Sequence, residues 1–329
     1  MANDNNEIEE IDEQVEEQVD EEADEQVEEQ VEKLLDEKKE SPLKDALKRR
    51  WYRFSKNPLS KIGLAIALTS IFLAIFGRYV VPHPAHAGLY RDYGNKFIEP
   101  FQTWTFPLGT DSYGRCVLSR TIMGFKYSIR MAAVVLSLVV PSGVVVGLVA
   151  GYHKDTWIDT LLMRTSDIFI AVPPLVLALS ITAMLEPDPF YAMMAVSLMW
   201  WPWYARIAYN NVSSLVNEDF VKSAEIMGDS KLHIMFSEIL PNCTGPILTK
   251  LTLDVGWVII IGASLSFVGL GAQAPTPDLG TMVADGSGLL PTWWWVSIFP
   301  AMAISFIILG FNLLGDGVQD AFEEVGGGS

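Results

Sequence analysis

The stretch MAAVVLSLVVPSGVVVGLVAGY, residues 131–152, carries no charged side chain. A helix needs about 20 predominantly apolar residues to cross the hydrocarbon core of a bilayer. The stretch also lacks the alternation of apolar and polar residues that marks a barrel strand. Because every backbone amide in lipid needs a hydrogen-bond partner within the protein, we predict a transmembrane helix here.

Other apolar segments meet the same length requirement. They lie at residues 62–81, 157–185, 190–209, 247–270 and 292–314. Half of the 329 residues are hydrophobic, which is typical of a membrane protein with several spans. We therefore predict an all-α, polytopic membrane protein with six transmembrane helices, the first within residues 41–125 and the other five within residues 126–322.

Small residues and prolines predict how two of these helices pack. Gly143, Gly147 and Gly151 stand four residues apart, which gives one helix a smooth face for close contact with a neighbour. The sequence Val172–Pro174 should break or kink the third span, because proline lacks the N–H that continues a helix.

Nearly all of the excess negative charge of the chain lies at one end. The formal net charge is −17, yet residues 1–40 alone hold 19 acidic and 3 basic residues. The octapeptide DEQVEEQV occurs twice there, at residues 12–19 and 24–31. This tail is either an amphipathic helix that contacts a partner or pairs with itself, or a solvated, disordered extension. The C-terminal residues 323–329 end in GGGS, which resembles an appended linker.

Basic residues predict the orientation of the chain. A dense group precedes or opens the first span: Lys44, Lys48, Arg49, Arg50, Arg53, Lys56 and Lys61. By the positive-inside rule this end faces the cytoplasm, and six crossings return the C-terminus to the same side. Four positive charges between the first two spans disagree with this orientation, namely Arg115, Arg120, Lys126 and Arg130.

Charged residues inside the predicted spans are candidates for function. Asp254 follows Lys250 by four residues, so the two side chains can form an ion pair on one helix face. Arg164 and Asp167, three residues apart in the third span, allow a similar pair. Both a functional role and a structural ion pair stay open for these residues.

A polar stretch separates the fourth and fifth spans. Residues 217–227 favour a helix with Phe220, Ala224 and Met227 on one face, and Gly228 supplies a stop. A second helix follows, and we expect Pro241 to end it. Its apolar stripe consists of Leu232, Met235, Phe236 and Ile239. Such a helix–turn–helix either binds a partner or packs on its own transmembrane bundle.

The sequence KSAEIMGDSKLHIMFSEILPN, residues 222–242, resembles the EAA loop of permeases of ATP-binding-cassette (ABC) importers. Ala224, Gly228, Leu240 and Pro241 match the motif, whereas Lys222 stands at its glutamate and Ser223 at its first alanine. Further stretches resemble one branch of these permeases, which imports dipeptides, oligopeptides and nickel. Within that branch they resemble the second of its two permease types. They are PLGTDSYGRCVLSRTIMGFKYSI, DTLLMRTSDIFIAVPPLVLAL, SFVGLGAQAPTPDLGTMVADG and FNLLGDGVQDAF, and together they cover about residues 43–322.

This resemblance implies a type I importer permease in a bacterial or archaeal cell membrane. It implies that the loop at about 217–242 is a coupling helix in a groove of an ATP-hydrolysing subunit. The residues expected to make this contact are Phe220, Lys222, Ser223, Ala224, Met227, Gly228, Leu232, Leu240 and Pro241. The implied partners are a second permease, one or two ATPases and an external solute-binding protein that delivers peptides.

The sequence argues against an enzyme. It contains no GxxxxGK[ST] phosphate-binding loop and no HExxH pair, so we predict no catalytic residue, metal or cofactor in this chain, with ATP and Mg²⁺ on the ATPases. Besides these proteins we expect the lipid bilayer as a partner, and no nucleic acid. Import of nickel or oligosaccharides stays open. So does a stand-alone ion-driven transporter or channel, although we find neither a line of pore carboxylates nor inverted repeats.

Overall fold

The computed structural model describes residues 42–185 and 188–322. The predicted acidic tail and the glycine-serine end lie outside these residues. Within the described part the chain is helical, and its only bridge between extended residues joins Thr110 and Cys116. The all-α prediction is therefore confirmed. The described residues from Phe54 onward form one compact unit, and those before it belong to a separate unit.

The described helices follow one another along the chain with short connections in most places. The α-helices are α1 (Pro42–Lys56), α2 (Pro58–Val80), α3 (Val117–Tyr152), α4 (Trp157–Ile170), α5 (Pro174–Ala183), α6 (Pro189–Leu215), α7 (Asp219–Met227), α8 (Lys231–His233), α9 (Leu240–Asn242), α10 (Thr244–Phe267), α11 (Leu279–Ser287) and α12 (Trp295–Phe322). A π-helix spans Ile234–Ile239, and short 3₁₀ helices span Pro84–Ala87 and Tyr93–Asn95.

The predicted spans correspond to long helices. Four described helices, α2, α3, α10 and α12, are long and apolar enough to cross a membrane. Helices α4 and α5 meet the same test as one broken span, bent by 81° at the predicted proline break. Helix α6 has 27 residues, about 40 Å of helix, but its composition is less apolar and does not meet that test. The structure thus shows four to five such spans and is compatible with six.

Helix α3 begins earlier than predicted, at Val117 rather than near Met131. Its 36 residues give a helix of about 54 Å, which exceeds the hydrocarbon core of about 30 Å. The first turns contain Arg120, Lys126 and Arg130, and these charges hid the helix start from a search for apolar runs. Helix α12 likewise continues past the predicted Leu314 to Phe322.

The predicted glycine face of α3 packs directly on α6. A Cβ atom added at Gly143 would lie 2.6 Å from the Cβ of Tyr204. At Gly147 it would lie 2.6 Å from the Cβ of Ala208, and at Gly151 2.7 Å from that of Val212. Real Cβ atoms do not approach this closely, so the contact between these two helices requires glycine at all three positions.

We expect Gly147→Ala to destabilise the bundle by about 1–3 kcal/mol, because the added methyl group overpacks the contact between α3 and α6. Thermal unfolding of the purified protein in detergent measures the effect. Gly288→Ala is the matched control, since an added Cβ at Gly288 meets no atom within 4 Å. Equal melting temperatures for the two variants would contradict the proposed contact.

Two of the four positive charges that disagreed with the predicted orientation are buried and share one carboxylate. Arg115 Nε donates to Asp111 Oδ2 over 2.7 Å, and Arg120 Nε lies 3.7 Å from the same oxygen. Arg120 also donates to the carbonyl oxygens of His86 and Pro275, each over 3.3 Å. Because Asp111 offsets part of their charge and carbonyl oxygens bind Arg120, these arginines carry little information about orientation.

The imidazole of His86 acts as a hydrogen-bond acceptor in the segment between α2 and α3. Its Nδ1 atom accepts from the backbone N–H of Cys116 over 2.8 Å, and its ring stacks on Tyr90 at 3.9 Å. Burial, and next the neighbouring His83, lower the pKa of His86 below its ordinary value of 6.5. The nearby Asp111 and Asp92 only partly oppose this shift.

This lowered pKa predicts that the protein loses stability in mild acid. The unfolded chain binds a proton at His86 below about pH 6.5, whereas the folded chain resists it until lower pH, so this stability is present above pH 6.5 and is lost as the pH falls. We expect a smaller drop in melting temperature between about pH 7.5 and about pH 5.5 for His86→Gln than for the wild type. An equal drop would show that His86 does not cause the acid sensitivity.

Candidate functional site

The polar stretch between α6 and α10 folds into a helical hairpin, here called the loop hairpin (Asp219–Asn242). Gly228 ends α7 in the left-handed region, with φ of 88°. Its N–H donates to the Glu225 carbonyl over 3.1 Å, and that of Asp229 donates to the Ala224 carbonyl over 3.1 Å. Ser230 Oγ accepts from His233 N and caps the second arm. The turn lies where the sequence predicts it.

The second arm of the loop hairpin does not end at Pro241, contrary to the sequence-based prediction. Pro241 lies in the short helix α9, and the turn follows at Cys243. The preceding π-helix accounts for this outcome. Proline cannot donate to the preceding turn, and its ring clashes there, whereas a locally wider helix accommodates both defects. The N–H of Leu240 accordingly donates to the Met235 carbonyl, five residues earlier.

One face of the loop hairpin belongs to the main hydrophobic core. Five of its side chains are buried in the same cluster as residues of α3 and α6; they are Val221, Ala224, Ile234, Met235 and Ile239. Tyr152, in the last turn of α3, adds a polar contact by donating its hydroxyl to Glu225 Oε1 over 3.0 Å. The hairpin is therefore fixed to the transmembrane helices rather than suspended from them. The Tyr152 contact could not be predicted from the sequence.

Other positions of the hairpin expose large apolar side chains. Ile226 is 87% exposed, Met227 76% and Leu232 66%. Phe236 and Phe220 are about two-fifths exposed. We call these five residues the apolar face of the hairpin. Large apolar side chains that are exposed on a polar loop are candidates for contact with a partner.

The residues of each predicted apolar stripe differ in burial. Phe220 and Met227 are exposed, whereas Ala224 is buried, so the three do not share one environment. On the second arm Leu232 and Phe236 are likewise exposed while Met235 and Ile239 are buried. Spacing alone showed two apolar stripes but not which side packs on the bundle. Ile226 is the most exposed of the five residues of the apolar face. The sequence analysis missed it because it does not follow the i, i+4, i+7 spacing that begins at Phe220.

The remaining predicted residues of the loop are placed around these faces. Lys222 is exposed, with Nζ 4.0 Å from Asp219 Oδ1, and Ser223 Oγ donates to the Asp219 carbonyl over 2.7 Å. Leu240 is half-buried against the core, and Pro241 is exposed. Lys222, in place of the motif's glutamate, thus pairs within its own helix.

The charged residues inside the spans form two ion pairs. Lys250 Nζ donates to Asp254 Oδ1 over 2.6 Å, as the spacing predicts. Asp167 pairs instead with Arg206 of α6, so the expected pairing of Asp167 with Arg164 is wrong. Arg164 is exposed, and a cation on the neighbouring helix reaches the carboxylate from a direction that the sequence of α4 alone cannot reveal.

Among the described residues no group of three or more His, Cys, Asp or Glu side chains could hold a metal ion. The pKa of Cys243, at the base of the hairpin, is raised to about 11 because burial disfavours the thiolate. This thiol is therefore not poised for nucleophilic chemistry. What the site offers is an anchored hairpin with an exposed apolar face, which is suited to contact with another protein.

Comparison with known proteins agrees with this arrangement. Residues 143–324 match the family described as "Binding-protein-dependent transport system inner membrane component". Residues 41–100 match "N-terminal TM domain of oligopeptide transport permease C".

Curated relatives cover most of the chain. The di/tripeptide transport system permease protein DppC of Pseudomonas aeruginosa is 36% identical over 84% of this chain and 91% of the relative. The dipeptide permease DppC of Alkalihalophilus pseudofirmus is 34% identical over 86% and 90%. The glutathione transport system permease GsiD of an Escherichia coli strain is 35% identical over 83% and 88%.

The fold and the hairpin therefore define a helical, multi-pass membrane permease. The chain belongs to the family of inner membrane components of binding-protein-dependent transport systems, and thus to the permeases of ABC importers.

The turn at Gly228 can be tested without a steric clash, because an added Cβ there meets no atom within 4 Å. We expect Gly228→Ala to destabilise the hairpin locally by about 1 kcal/mol, since φ of 88° is unfavourable for a residue with a Cβ. Hydrogen exchange of the amides in residues 219–233 measures the loss. Gly228→Asn is the control, because asparagine tolerates this conformation. Equal exchange in all three proteins would contradict the assigned turn.

Proposed function

We propose that this chain is one of two permease subunits of an ATP-driven importer of small peptides. The observation that carries the proposal is the loop hairpin, with one face in the core and the other presenting exposed apolar side chains to a partner. A transporter that worked alone would have no use for such a surface.

The partner at the hairpin is an ATP-hydrolysing subunit in the cytoplasm. The basic residues of α1 and the start of α2 support this orientation by the positive-inside rule. The sequence contains no phosphate-binding loop, so ATP and Mg²⁺ belong to that subunit. Its closure on nucleotide would push α7, and the bundle would change between two packed arrangements.

Small peptides are the substrate class that the relatives support. The relatives are named for transport of di- and tripeptides, dipeptides and glutathione, which are all short peptides. An external solute-binding protein would deliver the peptide to a path between this chain and a second, homologous permease. Uptake of a labelled dipeptide into proteoliposomes that contain both permeases and the ATPases, with the binding protein outside, tests the whole proposal. Uptake without ATP, or by this chain alone, would overturn it.

We expect the double variant Ile226→Asp/Met227→Asp to weaken ATPase binding by at least about tenfold, because two carboxylates would be desolvated at the contact. Co-purification of the ATPases and ATP-dependent uptake measure the effect. Leu89→Asp is a matched control for co-purification, since Leu89 is 77% exposed in the segment between α2 and α3. Normal co-purification of the double variant would show that the ATPase binds elsewhere.

A further inference from the structure

A buried hydrogen bond joins the two helices that flank the loop hairpin. Trp200 of α6 donates its Nε1–H to Asp254 Oδ2 of α10 over 2.8 Å. Trp200 is 6% exposed and Asp254 is fully buried. We call this contact the Trp200–Asp254 bridge. Its position matters because α6 leads into the hairpin and α10 leads out of it.

The second oxygen of Asp254 is bound by Lys250, one turn earlier on α10. Lys250 Nζ lies 2.6 Å from Asp254 Oδ1 and also faces the rings of Trp200 and Trp203, at 5.8 Å and 5.9 Å from their centroids. A buried carboxylate without a partner would be strongly destabilising. Here each oxygen has a charged or dipolar donor, so the carboxylate is a stable acceptor for the indole.

The bridge lies well inside the bundle. Asp254 is ten residues along α10 from Thr244, which corresponds to about 15 Å of helix. Away from water a hydrogen bond to a charged group is stronger than at the surface, because no solvent competes for it. The bridge therefore holds α6 and α10 together at a depth that the hairpin itself does not reach.

Further polar contacts join the same group of helices nearer the hairpin. Asp167 of α4 pairs with Arg206 of α6, and Tyr209 of α6 donates to Asp159 of α4 over 3.3 Å. These contacts join α4 to α6, whereas the contact at Asp254 joins α6 to α10. Among these contacts, the one at Asp254 is thus the polar connection between the entry and exit helices of the hairpin.

We propose that Asp254 and Trp200 are positioning residues that make α6 and α10 move as one body when the hairpin is displaced. The inference rests on the proposed function, since it assumes that an ATPase displaces the hairpin. Without the bridge, α6 and α10 would be joined only by apolar packing and by the interaction of Tyr204 of α6 with Asp254. Part of the displacement would then be lost in relative motion of the two helices. ATP hydrolysis would continue while transport per ATP would fall.

The experiment compares Trp200→Phe with Trp203→Phe in the reconstituted importer. Trp200→Phe removes the indole N–H but leaves Lys250 on Asp254, so the buried charge stays compensated. Trp203 faces Lys250 in the same way but donates no hydrogen bond to Asp254. We expect Trp200→Phe to assemble and hydrolyse ATP while dipeptide uptake per ATP falls by at least about fivefold, the lower end of typical coupling between sites. Trp203→Phe should keep the wild-type ratio.

Spin labels test the motion directly, including in a variant with low uptake. Leu198→Cys on α6 and Trp257→Cys on α10 replace exposed side chains, and the two natural cysteines are buried. In a wild-type background we expect the distance between the labels to change by less than about 2 Å between nucleotide-free and nucleotide-bound states, the size of an ordinary helix shift. With Trp200→Phe the change should exceed this value.

The outcomes separate this inference from the proposed function. If the wild-type complex shows no ATP-dependent uptake, the proposed function fails. If the wild type transports but Trp200→Phe keeps its uptake per ATP, only the role of the bridge fails. The same holds if the distance between the labels in the wild-type background changes by more than about 2 Å. A proportional fall of uptake and ATP hydrolysis would also overturn it, because uptake per ATP would then be unchanged.

Discussion

Direct contact between the backbones of α3 and α6 is the constraint on which the rest of the structure depends. In lipid there is no hydrophobic force between helices, so association requires close packing and polar contacts. The three glycines of α3 allow α6 to approach until its main chain and Cβ atoms touch. This contact fixes the line along which α6 enters the loop hairpin, and the buried face of the hairpin then packs on the same two helices.

Polar contacts add to the close packing at the glycines. Each of them joins two segments through a directional hydrogen bond, which an apolar side chain could not provide. At one end of α3, Arg120 donates to carbonyl oxygens from two distant segments, His86 and Pro275. At the other end Tyr152 donates to Glu225 of the hairpin. Between them, at bundle depth, Asp254 binds Trp200. A permease must change shape without unfolding, and such specific contacts define which helices stay together.

Much of this fold could be predicted because a membrane limits the possible sequences so strongly. The apolar runs, the proline break before α5 and the glycine turn at residue 228 each follow from a local physical rule, and the structure agrees with them. The start of α3 could not be predicted, because its first turns contain Arg120, Lys126 and Arg130, charges that composition alone assigns to a loop. The Asp167–Arg206 pair and the orientation of the hairpin's faces depend on neighbouring helices, and a single helix sequence does not encode its neighbours.

The apolar face of the hairpin also bears on how cells handle this chain before assembly. Ile226 and Met227 belong to a polar loop rather than to a lipid-facing helix, so in an isolated copy they would contact water. Such a surface, when nothing covers it, promotes aggregation and recognition by quality-control proteases. Under the proposed function, an isolated copy of this permease therefore exposes a surface that the proposed ATPase subunit would cover.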